Sequence, residues 1–114
     1  MLVDDEIDII SLFTEVLTQN GINVRPFTKP EDALRDFEQN HASYILVISD
    51  IRMSPISGVE FIKKLREIDS NIRVILMTAF EIEGNELREI HSDELFNKPI
   101  RMNDLVQIVK KYVD

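Results

Sequence analysis

Five polar residues of this chain stand where apolar runs stop. Asp4 and Asp5 follow Leu2-Val3, and Asp50 follows the run from Tyr44 to Ser49. Thr78 closes RVILMT at 73–78, and Lys98, with Pro99 behind it, follows 94–97. If these ends meet in space, three carboxylates face one another. They repel unless a positive charge sits among them. Oxygen-only ligation suits Mg²⁺, which keeps several waters and takes few protein carboxylates, with Mn²⁺ as the substitute. Lys98 would add a second positive charge and Thr78 a hydroxyl donor. A cation, an ammonium and a hydroxyl around a carboxylate are what a phosphoryl group needs. The carboxylate can itself be the nucleophile, forming an aspartyl phosphate. Taken singly, each feature is ordinary: Asp is common where strands stop, and a double Asp is usually a solvated turn or cap.

The elements that must position these residues follow from periodicity. Leu2-Val3 reads as the end of a short strand. Apolar residues at 9, 10, 12, 13, 16 and 17 give a helix over 8–20, stopped by Gly21. Residues 22–27 read as a weaker strand, which Pro26 assigns to an edge. Thr28 and Glu31 have capping-box spacing for a helix over 30–39. The run 44–49 is continuously apolar up to Ser49, as a strand buried on both faces of a parallel sheet would be. It opens into a loop marked by Pro55 and Gly58. Ser57 to Glu60 is a second capping box, before a helix carrying Val59, Ile62, Leu65 and Ile68. Strands follow over 73–78 and 94–97, separated by a weak helix over 83–91 that Gly84 interrupts. A last helix over 103–113 presents Leu105, Ile108, Val109 and Tyr112.

This alternation predicts an α/β fold with a mostly parallel sheet and helices on both faces. In such sheets ligands bind beyond the carboxyl ends of the strands, where strand order reverses. In the flavodoxin-like order 2-1-3-4-5, strand 1 lies beside strand 3, and Asp4, Asp5 and Asp50 meet in one crevice. His41 and His91 lie among polar residues and read as surface. Phe13, Phe37, Phe61 and Phe96 read as core.

The bulk properties narrow the partners. A length of 114 residues suggests one domain over 1–114. A net charge of -8 argues against direct nucleic-acid binding, which depends on neutralising phosphates. No apolar run approaches the ~20 residues that span a bilayer, so no membrane partner is expected. The absence of cysteine excludes disulfides and thiolate metal sites and fits a cytoplasmic setting.

Four stretches, LVDDE (2–6), DIRMSPISG (50–58), MTA (77–79) and KP (98–99), resemble the receiver domain of two-component response regulators in order and spacing. The resemblance covers essentially the whole chain. It implies a flavodoxin-like five-stranded doubly wound domain, and a signalling phosphoacceptor rather than an enzyme acting on a separate substrate. Asp50 would be the phosphoacceptor. Asp5 would bind Mg²⁺ directly, Asp4 through water, and Arg52 through its backbone carbonyl. Thr78 would turn toward the phosphoryl group, Ala79 would leave room for it, and Lys98 would pair with it, before a cis Lys98-Pro99 bond. The implied partners are a histidine kinase or phosphotransfer protein and a downstream protein or effector domain, with a homodimer on phosphorylation. The output surface would be built from the fourth helix, fifth strand and last helix of the family's fold.

The chain departs from the family pattern in four places. Strand 1 is short, Pro55 stands one residue later than usual, and the interval from Thr78 to Lys98 is shortened. Leu95 holds the place of the family's switching Tyr or Phe, with Phe96 expected on the opposite side of the strand. Two other readings compete. A pseudo-receiver that never turns over phosphate would normally lack part of the acidic cluster, the Thr or the Lys. An aspartyl-phosphate phosphohydrolase would usually place a second Asp where Arg52 stands.

Overall fold

A computed structural model describes residues 1–78 and 92–113. Five parallel strands, β1 (Leu2–Val3), β2 (Pro26–Phe27), β3 (Leu46–Asp50), β4 (Arg73–Thr78) and β5 (Glu94–Asn97), form one sheet in the order β2-β1-β3-β4-β5. Among the described residues, four α-helices accompany them: α1 (Ile7–Gln19), α2 (Pro30–Asn40), α3 (Gly58–Ile68) and α4 (Met102–Val113). The expected flavodoxin-like order is present, and β1 lies between β2 and β3.

The continuous apolar strands are explained by two cores, one on each face. Val3, Val47, Val74 and Leu76 pack with Ala33 and Phe37 of α2 and with Phe61, Ile62 and Leu65 of α3. Leu2, Leu46, Ile48, Ile75 and Met77 pack with Ile10, Phe13 and Leu17 of α1 and with Leu105 and Val109 of α4. Successive residues of one strand alternate between the two cores, as the pleat requires. Phe37 and Phe61 are completely buried; truncating either to Ala should cost about 3–5 kcal/mol. Phe96 is half-buried against the α1/α4 core.

Gly21 ends α1 by a Schellman arrangement. It takes φ +80, its N–H donates to the Thr18 carbonyl at 3.1 Å, and the Ile22 N–H donates to Leu17 at 3.0 Å. The αL conformation is available to glycine without a Cβ penalty. At α3, the Ser57 hydroxyl accepts from the Glu60 N–H at 3.2 Å, as the second capping box requires.

Several elements differ from expectation. The edge strand β2 holds only Pro26–Phe27 rather than 22–27; Ile22 and Val24 are drawn into the α1/α4 core instead. Thr28 does not cap α2: Lys29 is the N-cap residue, without a side-chain cap bond, and Pro30 supplies the preset first-turn φ. Tyr44 and Ile45 precede β3, because a 3₁₀ turn at His41–Ser43 delays the strand. His41 is half-buried, with its ring centroid 6.1 Å from that of Phe37. The weak helix expected over 83–91, Gly84, Ala79 and His91 lie outside the described residues.

Candidate functional site

Parallel register brings the strand ends level. Val3 pairs with Ser49, so Asp4 emerges beside Asp50. Asp50 pairs with Met77, so Thr78 stands one position beyond it on β4. Thr78 pairs with Asn97, and the next residue is Lys98, whose N–H donates to the Thr78 carbonyl at 2.7 Å. Residues far apart in sequence thus share one edge of the sheet, at the crossover between β1 and β3 where ligands of this architecture bind.

The Asp50 backbone is held from several sides. The Ser49 hydroxyl donates to the Asp50 carbonyl at 2.9 Å. The Ile51 N–H donates to Met77 at 3.0 Å, and the Ile51 carbonyl accepts from the Gly58 N–H at 2.8 Å. The Arg52 N–H lies 3.4 Å from Asp50 Oδ1. Both Ser54-Pro55 and Lys98-Pro99 are cis, the second as expected.

Asp4, Asp5 and Asp50 each present an oxygen within 4.8 Å of the others. Their environments differ. Asp4 is completely buried, Asp50 is 4% exposed, and Asp5 is exposed. Lys98 Nζ donates to Asp4 Oδ2 at 2.7 Å and to Asp50 Oδ2 at 3.3 Å, with Glu6 Oε1 at 3.9 Å. Burial raises the Asp50 carboxyl above its ordinary range, and the Asp4 charge raises it further. The Lys98 charge and hydrogen bond, and the Arg52 N–H, oppose that rise without cancelling it. For Lys98, burial disfavours the ammonium, but hydrogen bonds and charge from Asp4 and Asp50 outweigh burial and raise its pKa.

The structure therefore brings together Asp4, Asp5, Asp50, Thr78, Lys98 and the Arg52 backbone. The Arg52 side chain is exposed. Leu95, paired with Leu76 on β4, is 39% exposed, while Phe96 turns to the core, as strand alternation requires. Sequence reasoning missed Glu6 as a neighbour of Lys98. Its N–H also donates to Asp4 Oδ1 at 2.9 Å, which fixes the rotamer of the buried acid. Its place directly after the acidic pair was the available signal.

Three oxygen donors at this spacing fit a hard divalent ion that completes its shell with water. A nearby ammonium and the Thr78 hydroxyl group suit an anionic group entering beside Asp50.

Comparison with known proteins agrees with this geometry. The sequence profile of the response regulator receiver domain matches residues 1–110. Sporulation initiation phosphotransferase F of Bacillus subtilis is 31% identical, over 99% of this chain and 91% of the relative. Against the CpxR homolog of Haemophilus influenzae, a transcriptional regulatory protein, identity is 29%, and the chain spans 48% of that protein's length. Among solved structures, response regulator TrrA of Thermotoga maritima, in complex with Mg²⁺-BeF, is 33% identical, with a TM-score of 0.86 and coverage of 98% and 96%. A receiver domain from Clostridium thermocellum superposes with a TM-score of 0.89 at 25% identity, covering 98% and 90%. Profile, relatives and fold converge on one conclusion: this chain belongs to the response regulator receiver domains of two-component signalling.

Proposed function

We propose that Asp50 is the phosphoacceptor of this domain, loaded from the phosphohistidine of a histidine kinase or phosphotransfer protein. The observation that carries this reading is the cluster itself. The Asp50 carboxylate lies at the end of the central strand, with two more carboxylates within 4.8 Å and the Lys98 ammonium 3.3 Å away. One Asp50 oxygen attacks phosphorus, an O–P bond forms, and the histidine N–P bond breaks with its electron pair left on nitrogen.

Asp4, Asp5, Asp50 and the Arg52 carbonyl would hold Mg²⁺, or Mn²⁺ in its place. The ion would neutralise charge on the transferring phosphoryl oxygens. Lys98 pairs with those oxygens by turning from Asp4, and Thr78 offers its hydroxyl. The TrrA complex with Mg²⁺-BeF supports this assignment by similarity. The domain works as a signalling phosphoacceptor in the cytoplasm and passes its state to a downstream protein or effector domain, with homodimerisation as one route. Among the described residues, no helix is long and apolar enough to cross a membrane.

Hydroxylamine tests the chemistry. After incubation with acetyl phosphate and Mg²⁺, the label should be lost on hydroxylamine treatment, as an acyl phosphate is. A label that resists would place the phosphate on a hydroxyl and contradict the reading.

A further inference from the structure

Gly58 opens α3 directly against the acceptor strand. A Cβ built on Gly58 would lie 2.2 Å from the Asp50 carbonyl oxygen, 2.7 Å from Ile51 Cα and 3.0 Å from the Asp50 carbonyl carbon. All three are backbone atoms, so no flexible side chain can give way. The approach is also bonded: the Gly58 N–H donates to the Ile51 carbonyl at 2.8 Å. From the other side the Ile51 N–H donates to Met77 at 3.0 Å. The Asp50–Ile51 backbone is thus clamped between the end of β4 and the first residue of α3. The crowded carbonyl oxygen is the one that accepts the Ser49 hydroxyl at 2.9 Å. Displacing that oxygen would turn the peptide from which the Asp50 side chain projects.

We propose that Gly58 is a positioning residue. Its missing Cβ lets α3 press on the Asp50–Ile51 backbone, and this contact aims the Asp50 carboxylate at the Asp4/Asp5 cluster and Lys98. The glycine is needed here for space and not for an unusual φ, in contrast to Gly21. The inference rests on Asp50 as phosphoacceptor. Small errors in aim matter in such chemistry: a misplacement of ~1 Å can cost about a hundredfold in rate.

Three proteins test it: wild type, Gly58→Ala and Ser57→Ala. The last removes the hydroxyl that caps Glu60, loosening the same helix start without adding an atom near Asp50. Mg²⁺ affinity is measured by calorimetry without phosphodonor, and phosphorylation by acetyl phosphate at saturating Mg²⁺. Gly58→Ala should weaken Mg²⁺ binding and slow phosphorylation by about tenfold or more each, the second deficit persisting at saturating metal. Ser57→Ala should lower the melting temperature and leave both within about twofold. Gly58→Ala within about twofold of wild type would overturn the proposal, as would an equal loss in Ser57→Ala. Should Gly58→Ala fail to fold, the wild-type amide spectrum decides. Mg²⁺ and beryllofluoride should shift the Gly58 amide and leave that of Gly21, at the other end of α1, in place. An unmoved Gly58 amide would overturn the proposal. A wild type that binds Mg²⁺ but accepts no phosphoryl group would instead overturn the reading of Asp50, which keeps the two failures distinct.

Discussion

Lys98 holds Asp4, 94 positions away in sequence, more closely than it holds Asp50, 48 positions away: 2.7 Å against 3.3 Å. The ammonium is 10% exposed and Asp4 is fully buried, so each is the other's counter-charge in a poorly solvated place. Removing one partner of such a pair leaves the other uncompensated.

Lys98→Met should therefore destabilise the metal-free domain by about 3 kcal/mol or more. Mg²⁺ should restore part of the loss, so its stabilising effect should be larger for the variant than for wild type. Melting curves with and without Mg²⁺ check both. A variant as stable as wild type without metal would contradict the pairing.

Asp50→Asn should stabilise the fold near neutral pH. Burial, then the Asp4 charge, raise the Asp50 pKa in the folded state, so the native state holds its proton more tightly than the unfolded chain does. The sign follows: the ionised carboxylate costs stability above the folded pKa, and the cost vanishes below the unfolded value of ~3.9. The advantage of Asp50→Asn should be present at pH 7 and shrink as the solution is acidified through the carboxylate range. A variant less stable than wild type at pH 7 would contradict this.

Asp5→Ala should weaken Mg²⁺ binding by about tenfold or more with little change in metal-free stability. Among the three acids Asp5 is the exposed one, so relief of repulsion there is diluted by solvent. Calorimetric titration paired with a thermal melt checks it; unchanged Mg²⁺ affinity would remove Asp5 from the ligand set.

Tyr44 supplies an alkaline test away from the site. Its hydroxyl donates to Asp36, which also pairs with Arg25 at 3.2 Å and accepts from Asn40 at 3.1 Å. Burial, with the Asp36 hydrogen bond, pushes the phenol up to about 12. Because the unfolded value is ~10, this group's contribution is complete below pH 10 and is lost as pH rises toward 12. Tyr44→Phe should flatten the stability loss across that window. Phenolate absorbance midpoints near 10 for both tyrosines would contradict the clamp.

Much of this was legible in the sequence, for identifiable reasons. β4 and β5 have the expected ends, Arg73–Thr78 and Glu94–Asn97, because polar residues bound their runs sharply. Asp4, Asp5 and Asp50 could be grouped because strand order alone places their strand ends side by side. The unequal burial of Asp4 and Asp5 was not legible, since it depends on which residue of the pair the pleat turns inward. Nor was the choice of Asp4 as the nearer partner of Lys98, which is fixed by rotamers. Residues 22–25 were misread as strand because the apolar pattern of Ile22 and Val24 serves packing onto α1 and α4 instead. Gly58 was visible as a loop marker, but its closeness to Asp50 emerges only when α3 is docked.

The most direct measurement of the central claim is intact mass after incubation with acetyl phosphate and Mg²⁺, for wild type and Asp50→Asn side by side. Wild type should gain the mass of one phosphoryl group, and Asp50→Asn, folded by circular dichroism, should gain none. Equal labelling of the two proteins would contradict the assignment of Asp50 as the phosphoacceptor.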